Sequence, residues 1–223
     1  LGEDEGRYYI AMEYLEGRNL VHIQNAFITQ GRDVPPEMAA RVIAESCAGL
    51  DFAHDLKDAA GRALTIVHRD VSPENIFITY SGQVKLLDFG IAKARARWHL
   101  TKPGTVKGKI YYLAPEQLHG EAITRRIDIW ALGVNLYTLV TGVRPFSGKS
   151  DREVFDAILN QPITMPSQLK PDISPSLERI ILRAMARDSS QRYPTAGAMH
   201  ADLESYLATR PSVSAYQLGQ MMD

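Results

Sequence analysis

Residues 68–75 read His68-Arg69-Asp70-Val71-Ser72-Pro73-Glu74-Asn75, and the assignment of the fold rests mainly on this polar stretch. Short apolar runs typical of β-strands flank it, Thr65-Ile66-Val67 before it and Ile76-Phe77-Ile78-Thr79 after it. The stretch is therefore predicted to be a loop that is held at both ends by sheet.

A third strand-like run, residues 84–87, follows a Ser81-Gly82 pair that predicts a hairpin turn. Asp88 comes directly after this run, so its carboxylate is predicted to face the same loop region as the side chains of Asp70 and Asn75. Mg²⁺ prefers such oxygen ligands together with the phosphates of a nucleotide. A further carboxylate, free of metal, can accept a proton from a hydroxyl nucleophile. Asp and Asn also favour turns, which is the plainer interpretation of the same residues.

These motifs resemble those of the protein kinase family. The motifs that match in family order are His68-Arg69-Asp70, Asn75, Asp88-Phe89-Gly90, Ala114-Pro115-Glu116 and Asp128-Ile129-Trp130-Ala131-Leu132-Gly133. The resemblance covers residues from about 8 to 208 and is closest to bacterial members, since the loop reads Val-Ser-Pro-Glu-Asn and a Gly-Lys pair follows at Gly108. It implies an α+β protein kinase-like fold, which is a mainly α-helical C-terminal lobe with short β-hairpin elements and with most of the N-terminal lobe absent.

The resemblance assigns roles at the reacting centre. Asp70 is similar to the catalytic base that orients the substrate hydroxyl, and Asn75 and Asp88 are similar to the Mg²⁺ ligands. The implied cofactors are therefore ATP and Mg²⁺, and the implied partner is a protein substrate. Phosphoryl transfer requires mainly positioning and charge neutralisation, and these three side chains supply part of both.

The resemblance also places the nucleotide. Met12 is similar to the gatekeeper, the backbones of Glu13 and Leu15 are expected to meet the adenine edge, and Asn19 stands where the family often contacts ribose. Phe77 is similar to the residue under the adenine ring. For Phe77 and Met12, a plain core position is an equally open alternative.

Five residues are expected to be structural. His68 and Phe89 would stack in the regulatory spine, Glu116 would form a buried ion pair with Arg192, and Asp128 would hold the catalytic loop from the central helix. His68 is also open to interpretation as an ordinary core residue.

Regulation is expected around Arg69, because an arginine at this position of the family often receives a phosphorylated activation loop. Thr101 and Thr105 lie in that loop and are the candidate phosphorylation sites; the alternative is that both are ordinary loop hydroxyls.

Two residues depart from the family pattern. Ser72 stands where serine/threonine kinases usually carry lysine, and Lys109 stands near where they usually carry threonine. We expect an exchange, in which Lys109 brings its ammonium group to the γ-phosphate and Asp70 while Ser72 supplies the hydroxyl. In the alternative interpretation, Lys109 is a solvated loop residue and catalysis is weaker.

The sequence contains no Gly-rich phosphate loop and no Val-Ala-Ile-Lys strand, and it opens at Leu1 without methionine. We therefore expect an excised piece, with residues 1–16 as the last N-lobe strand and hinge, 17–209 as the C-lobe, and 210–223 as a tail or linker. The missing N-lobe is expected upstream, and this piece alone is expected to be inactive and to bind ATP poorly. The alternative function is that of a pseudokinase or protein-docking module.

Several elements follow from capping and periodicity. Tyr8–Met12 is predicted to be a buried strand, and Ile127–Val140 a helix buried on all sides. Helix starts are predicted at Asn19, Pro35-Pro36, Ser174-Pro175 and Thr195, and a capping box is predicted at Ser150–Glu153.

Composition limits the function classes. The net charge of −1, without long runs of one sign, gives no reason to expect nucleic-acid or membrane binding, and no apolar stretch is long enough to span a bilayer. The single cysteine, Cys47, fits a core position in a reducing compartment, so a cytoplasmic location is expected. Val71-Ser72-Pro73-Glu74 lacks the Ala-Ala-Arg type of tyrosine kinases, so serine/threonine specificity is expected.

Overall fold

The computed structural model describes residues 2–4, 7–9, 11–89 and 108–222. The strands are β1 (Gly2–Asp4), β2 (Arg7–Tyr9), β3 (Gly17–Asn19), β4 (Ile76–Thr79) and β5 (Val84–Leu86). The helices are α1 (Leu20–Thr29), α2 (Pro36–His54), α3 (Pro115–His119), α4 (Arg126–Thr141), α5 (Asp151–Asn160), α6 (Pro166–Leu169), α7 (Pro175–Ala184), α8 (Ala196–Leu207) and α9 (Ala215–Gly219). This is the mainly helical α+β fold that the motifs predict.

Helix α4 forms the centre of the core, because it is apolar on nearly every side and therefore needs neighbours all round. It packs against α2 and α7. Gly133 permits the close approach of α7, since a Cβ at this position would lie 2.8 Å from the Cβ of Ala184. Helix α4 has 16 residues. Across the described part of the chain, no helix is both long and apolar enough to cross a bilayer.

The predicted helix starts are confirmed by their caps. The Asn19 side chain accepts a hydrogen bond from the His22 N–H at 3.1 Å and begins α1. Ser174 and Thr195 accept in the same way at the starts of α7 and α8, and Pro36 opens α2. Each cap satisfies one of the backbone N–H groups that a helix leaves unpaired in its first turn.

The capping box predicted at Ser150 forms only in part. The Ser150 hydroxyl accepts from the Glu153 N–H at 3.3 Å and begins α5. The Glu153 carboxylate accepts from the N–H of Lys149, one residue before Ser150, at 2.7 Å. The acidic side chain therefore satisfies a neighbouring donor outside the helix, and the helix start is unchanged.

Strands β3, β4 and β5 form an antiparallel sheet with β4 in the middle. Asn19 pairs with Phe77, and Phe77 pairs with Lys85, so these three side chains lie on one face of the sheet. The predicted turn between β4 and β5 is confirmed, with Gly82 at a φ of 81°. Helix α2 packs against β5, since a Cβ at Gly49 would lie 3.8 Å from Leu86 Cδ1.

The strand predicted at residues 65–67 does not form. Thr65 has a φ of 46°, in the left-handed region, which breaks the extended conformation that a strand requires. No strand in the described part of the chain pairs with residues 65–67. The β-branched residues at this position predict a strand from local propensity alone, which does not form a strand without a paired neighbour.

The N-terminal strand is shorter and more exposed than its apolar pattern predicts. β2 pairs antiparallel with β1 in a two-stranded sheet, and Tyr8 is 76% exposed. The prediction of a buried strand over residues 8–12 is therefore wrong for this chain. A two-stranded ribbon has no layer of its own to bury its faces.

The C-terminal segment, predicted as a tail or linker, packs against the lobe. Ser214 and Gln217 form a reciprocal capping box at the start of α9. Leu218 and Met221 belong to the same buried cluster as the side chains of α1, α2 and α4. The proposed limits of the three regions of the chain remain predictions.

Candidate active site

A buried carboxylate at the start of α4 shapes the loop of residues 68–75. Asp128 accepts hydrogen bonds from the backbone N–H groups of His68 and Arg69, each at 2.8 Å. Its position in the first helical turn also suits a negative charge, because the helix dipole is positive at that end. Arg69 has a φ of 65°, an uncommon conformation for a non-glycine residue, which these bonds help to hold. The structure thus places Asp128 against the loop, as the motif predicts.

Two further residues fix the same loop, and both were missed as site residues. His54, at the end of α2, lies buried with its Nε2 2.9 Å from Asp128 Oδ2. Asn135, one turn beyond Ala131 in α4, donates from Nδ2 to the Val71 carbonyl at 3.0 Å. In the sequence, each is a polar residue on an otherwise apolar helix face. This pattern has many structural explanations and does not predict which residue the polar side chain contacts.

Asp70 lies against the side chain of Lys109. The Lys109 Nζ is 2.5 Å from Asp70 Oδ2, across 39 residues of chain. Lys109 begins a 3-10 turn (Lys109–Tyr112) directly after Gly108, whose φ of 110° favours glycine. A charge-assisted contact of this kind is shorter and stronger than a neutral hydrogen bond. The structure therefore brings together the two residues that the exchange hypothesis requires to meet.

Ser72 lies in the interior of the loop. Its side chain is 1% exposed, and its hydroxyl has no hydrogen-bonding partner among the residues that the structure describes. Its backbone N–H donates to the Asp70 carbonyl and its own carbonyl accepts from the Asn75 N–H, both at 2.9 Å. A buried hydroxyl without a partner is uncommon, because leaving it unpaired costs free energy.

Asn75 links the loop to the strand that leads into Asp88. Its side-chain amide donates to the Asp70 carbonyl at 2.8 Å, which leaves Oδ1 as the atom available to a ligand. Its backbone carbonyl accepts from the Leu87 N–H at 2.8 Å. Asp88 follows with a φ of 54°, and its exposed carboxylate has no hydrogen bond within the described part of the chain.

His68 and Phe89 are in contact, as predicted, with their ring centroids 4.5 Å apart. Burial lowers the pKa of His68, against the opposing effect of the Asp128 charge, so the ring is neutral at pH 7. Its Nε2 lies 2.9 Å from the Leu87 carbonyl, which can only accept, so Nε2 carries the proton. Nδ1 is then the acceptor for the Asp70 N–H at 3.3 Å.

Two of the residues predicted to contact the nucleotide, Asn19 and Phe77, lie on one face of the β3–β5 sheet, and a third, Glu13, is ion-paired with Lys85 on the same face. Phe77 is partly buried between its strand partners Asn19 and Lys85. Lys85 forms an ion pair with Glu13, with its Nζ 2.6 Å from Glu13 Oε2. Asn19 is already bound as the cap of α1, so a ribose contact would share or replace that bond.

Two predicted nucleotide residues remain outside the core. Met12 is 71% exposed, and Leu15 is partly buried. The plain core interpretation of Met12 is therefore wrong for the described residues. A contact with a ligand or with another part of a longer protein is left open for it.

The predicted pair of Glu116 and Arg192 forms deep in the lobe. The guanidinium donates to both carboxylate oxygens, at 2.7 and 2.8 Å, and both side chains are buried. Arg192 also donates to the backbone carbonyls of Ala186, Arg126 and Arg187. The pair thus ties the start of α3 to the segment after α7, and its charges are compensated as burial requires.

Thr101, Thr105 and Gly90 lie outside the described residues. Arg69, the residue predicted to receive a phosphorylated loop, is partly buried beside Asp70.

The donor set fits a magnesium ion better than a zinc ion. In the described ranges, no group of three or more His, Cys, Asp and Glu side chains could hold a metal. One carboxylate from Asp88 and one amide oxygen from Asn75 are nevertheless the kind of sparse oxygen set that Mg²⁺ uses when phosphates and waters complete its shell.

Comparisons with known proteins support this interpretation of the site. The family described as "Protein kinase domain" matches residues 2–203. Tyrosine-protein kinase MasK of Myxococcus xanthus is 46% identical over 223 residues, which is 100% of this chain and 34% of that protein. Serine/threonine-protein kinase PrkC of Bacillus subtilis is 37% identical over 205 residues, or 92% of this chain and 30% of PrkC. Serine/threonine-protein kinase PknB of Mycobacterium leprae is 39% identical over 200 residues, or 87% of this chain and 30% of PknB.

The chain thus spans about a third of the length of these curated relatives. All three are bacterial proteins. MasK is named a tyrosine kinase, whereas PrkC and PknB are named serine/threonine kinases.

Proposed function

This chain belongs to the protein kinase family, among its bacterial, eukaryotic-like members, and we propose that it transfers the γ-phosphoryl group of Mg-ATP to a hydroxyl of a protein substrate. The observation that carries the proposal is the joining of the polar loop to the strand before Asp88. Asn75 bonds both to Asp70 and to Leu87, and His68 bonds to Leu87 as well. These bonds support the proposal that the oxygen-bearing side chains of Asp70, Asn75 and Asp88 lie in one region.

In the proposed reaction, Asp70 orients the substrate hydroxyl and accepts its proton. The hydroxyl oxygen forms a bond to the γ-phosphorus, the bond from this phosphorus to the bridging oxygen breaks, and the electron pair leaves with ADP. Asp88 and Asn75 would hold Mg²⁺ through oxygen atoms, and the ion would neutralise charge on the phosphates. Positioning and charge compensation are the main contributions that a kinase makes to this step.

Lys109 is proposed to replace the lysine that the family usually carries at the position of Ser72. Its ammonium group already lies 2.5 Å from Asp70, and 36% of its side chain is exposed. It would hold the Asp70 carboxylate in place and compensate charge on the γ-phosphoryl group. Ser72, with its buried and unpaired hydroxyl, would supply a small donor to the same centre.

On the nucleotide side, Phe77 is proposed to lie under the adenine ring, the backbones of Glu13 and Leu15 to meet its edge, Asn19 to contact ribose, and Met12 to act as gatekeeper. The shared sheet face of Asn19 and Phe77 supports this arrangement. The ion pair between Glu13 and Lys85 links the proposed hinge to β5 of the same sheet.

Serine or threonine is the proposed acceptor, because the loop reads Val71-Ser72-Pro73-Glu74. The name of MasK makes tyrosine the competing acceptor. Phosphoamino-acid analysis of substrate labelled by the complete kinase domain separates the two. Label found only on tyrosine would overturn the serine/threonine proposal without affecting phosphoryl transfer itself.

Transfer by residues 1–223 is proposed to need a Gly-rich loop and an N-lobe lysine, neither of which occurs in these residues. We call residues 1–223 joined to such an N-lobe the complete kinase domain. Regulation through phosphorylation of Thr101 or Thr105 near Arg69 is proposed for this complete domain, and phosphopeptide mapping of the active enzyme tests it. Active enzyme that carries phosphate at neither threonine would remove the proposal.

The function is tested by measuring transfer of radiolabelled γ-phosphate in the complete kinase domain. Asp70→Asn is expected to lower kcat by about 10²- to 10⁴-fold, because the amide cannot accept the hydroxyl proton. Asp88→Asn is expected to lower transfer by weakening the hold on Mg²⁺. Asp172→Asn, at an exposed site between α6 and α7, is the matched control and is expected to change nothing. Equal transfer by the wild type and Asp70→Asn would refute the proposed role of Asp70.

A further inference from the structure

The C-terminal segment, residues 213–221, folds back onto the part of the sheet that adjoins the predicted hinge, and we call it the C-terminal strap. Its two apolar anchors are Leu218, which is 3% exposed, and Met221, which is 5% exposed. Val213 packs against the same cluster. Burial of these side chains indicates that the strap is held in one place against the lobe.

Two glycines bring the strap into backbone contact with the turn between β4 and β5. A Cβ at Gly219 of α9 would lie 2.5 Å from the Tyr80 carbonyl oxygen. On the other side, a Cβ at Gly82 of the turn would lie 1.8 Å from the Ala215 carbonyl oxygen. No side chain fits in either place, so the contact depends on glycine at both positions.

Tyr80 connects this contact to the chain leaving the hinge. Its N–H donates to the Glu16 carbonyl at 3.0 Å, directly before β3. Its ring faces the guanidinium of Arg18 in β3, with the Arg18 Cζ 5.7 Å from the ring centroid. The strap, the turn and the end of the hinge therefore meet at one residue.

The strap also contacts the helix that follows the hinge. The 3-10 turn Gln220–Met222 packs against α1, whose cap is Asn19. Asn19 pairs with Phe77 across the sheet. The strap is thus in contact with the elements that carry the proposed contacts to adenine and ribose.

We infer that the C-terminal strap is a positioning element for nucleotide binding, which fixes the end of the hinge and the β4–β5 turn relative to Phe77 and Asn19. This inference rests on the proposed function, since it assigns the nucleotide to this face. Hydrogen bonds to an adenine edge are directional, so a small displacement of the hinge weakens them. The strap therefore affects the affinity for ATP and leaves the transfer step unaltered.

Gly219→Ala in a complete kinase domain that extends through Asp223 tests the inference. Gly219 has no positive φ, so the helix accepts alanine, and the added methyl group would lie 2.5 Å from the Tyr80 carbonyl oxygen and 3.7 Å from the Gly82 nitrogen. KM and Kd for ATP are expected to rise about three- to tenfold while kcat stays within about twofold, the pattern for loss of binding that is equal in the ground state and the transition state. Amide hydrogen exchange is expected to increase in residues 13–19 and 76–86.

Gly49→Ala is the matched control, because its methyl group would meet Leu86 of the same hairpin at an ordinary 3.8 Å. It is expected to leave both KM and hydrogen exchange unchanged. Leu218→Ala, which loosens the strap without adding atoms, is expected to raise KM in the same direction as Gly219→Ala.

Three results would overturn the inference. The first is that KM and amide hydrogen exchange stay unchanged in Gly219→Ala. The second is that KM rises equally in Gly49→Ala. The third is that kcat of Gly219→Ala falls as much as its KM rises, because such a fall indicates general destabilisation of the domain. The Kd for ATP is measured independently of transfer. A wild-type domain that binds ATP without transferring phosphate would therefore contradict the proposed function and leave the inference on the strap to be decided by Kd.

Discussion

Asp70 is surrounded by groups that determine what its carboxylate can do. Lys109 lies 2.5 Å from one of its oxygens, Asn75 holds its backbone carbonyl, and His68 accepts from its N–H. The ammonium group holds the carboxylate in one position, as a proton acceptor aimed at a substrate hydroxyl requires. The position of Lys109 supports the proposal that a lysine from a distant segment compensates for the serine at position 72.

Lys109→Ala is expected to lower kcat about 10- to 100-fold in the complete kinase domain, since a charge-assisted contact is worth roughly 1.5–3 kcal/mol. Steady-state phosphoryl-transfer assays measure this change in kcat. Lys149→Ala, at an exposed lysine before α5, is the control and is expected to retain full activity. Unchanged turnover in Lys109→Ala would remove the exchange hypothesis.

A swap of the two positions is a stricter test of the same hypothesis. Ser72→Lys combined with Lys109→Thr restores the usual family arrangement and is expected to recover much of the activity lost in Lys109→Thr. The difference between the double variant and the sum of the single variants is the coupling free energy. Activities that simply multiply would show that the two positions act independently.

His68 makes the stability of the fold dependent on pH. Burial lowers its pKa, so the folded state binds a proton less readily than the unfolded chain. The contribution of neutral His68 to the free energy of unfolding is therefore fully present above about pH 6.5, and it is lost as the pH falls toward the lowered pKa. His68→Gln is expected to reduce this loss in urea unfolding between about pH 5 and pH 7. The expectation is contradicted if the free energy of unfolding depends on pH as steeply in His68→Gln as in the exposed control His119→Gln.

At the scale of elements, the start of α4 and the end of α2 form the frame of the catalytic loop. Asp128 accepts from two loop N–H groups and lies beside His54. Asp128→Ala is expected to lower the free energy of unfolding by about 3 kcal/mol or more, because it leaves buried donors unpaired. Denaturant unfolding measures it, and a loss below about 1 kcal/mol would contradict the account.

Asp156→Ala is the matched control for that measurement. Asp156 is exposed on α5 and accepts only from Asn160, one turn away. Its removal is expected to change the free energy of unfolding by no more than about 0.5 kcal/mol.

Much of the arrangement of elements follows from local sequence. Caps at Asn19, Ser174 and Thr195 predict the starts of α1, α7 and α8, since a side-chain oxygen there satisfies donors within the same turn. The all-round apolar pattern of residues 127–140 predicts the buried α4 for a similarly local reason. These features require no knowledge of distant neighbours.

What the sequence alone did not predict depends on distant neighbours. Residues 65–67 have strand propensity but pair with no strand in the described part of the chain, and Tyr8 is exposed on a two-stranded ribbon. His54 and Asn135 become site residues only through partners 74 and 64 positions away. The Lys109–Asp70 contact was expected from family resemblance, whereas spacing alone does not bring together residues so far apart.

At the scale of the whole molecule, the lobe presents a sheet face and a polar loop that we propose form one side of a nucleotide site. Residues 1–223 expressed alone are expected to show no measurable phosphoryl transfer and weak ATP binding, because the phosphates lack the backbone donors and the lysine that the family supplies from its N-lobe. Joining a Gly-rich loop and its lysine strand is expected to restore transfer. Measurable transfer by residues 1–223 alone would contradict this expectation.

A crystal structure of the complete kinase domain with Mg²⁺ and a non-hydrolysable ATP analogue would show directly where the metal and the phosphates bind. We expect one magnesium ion with oxygen atoms of Asp88 and Asn75 at about 2.1 Å, and the Asp70 carboxylate facing the γ-phosphoryl group. A metal ion bound elsewhere, with Asp70, Asn75 and Asp88 turned away from the phosphates, would contradict this prediction.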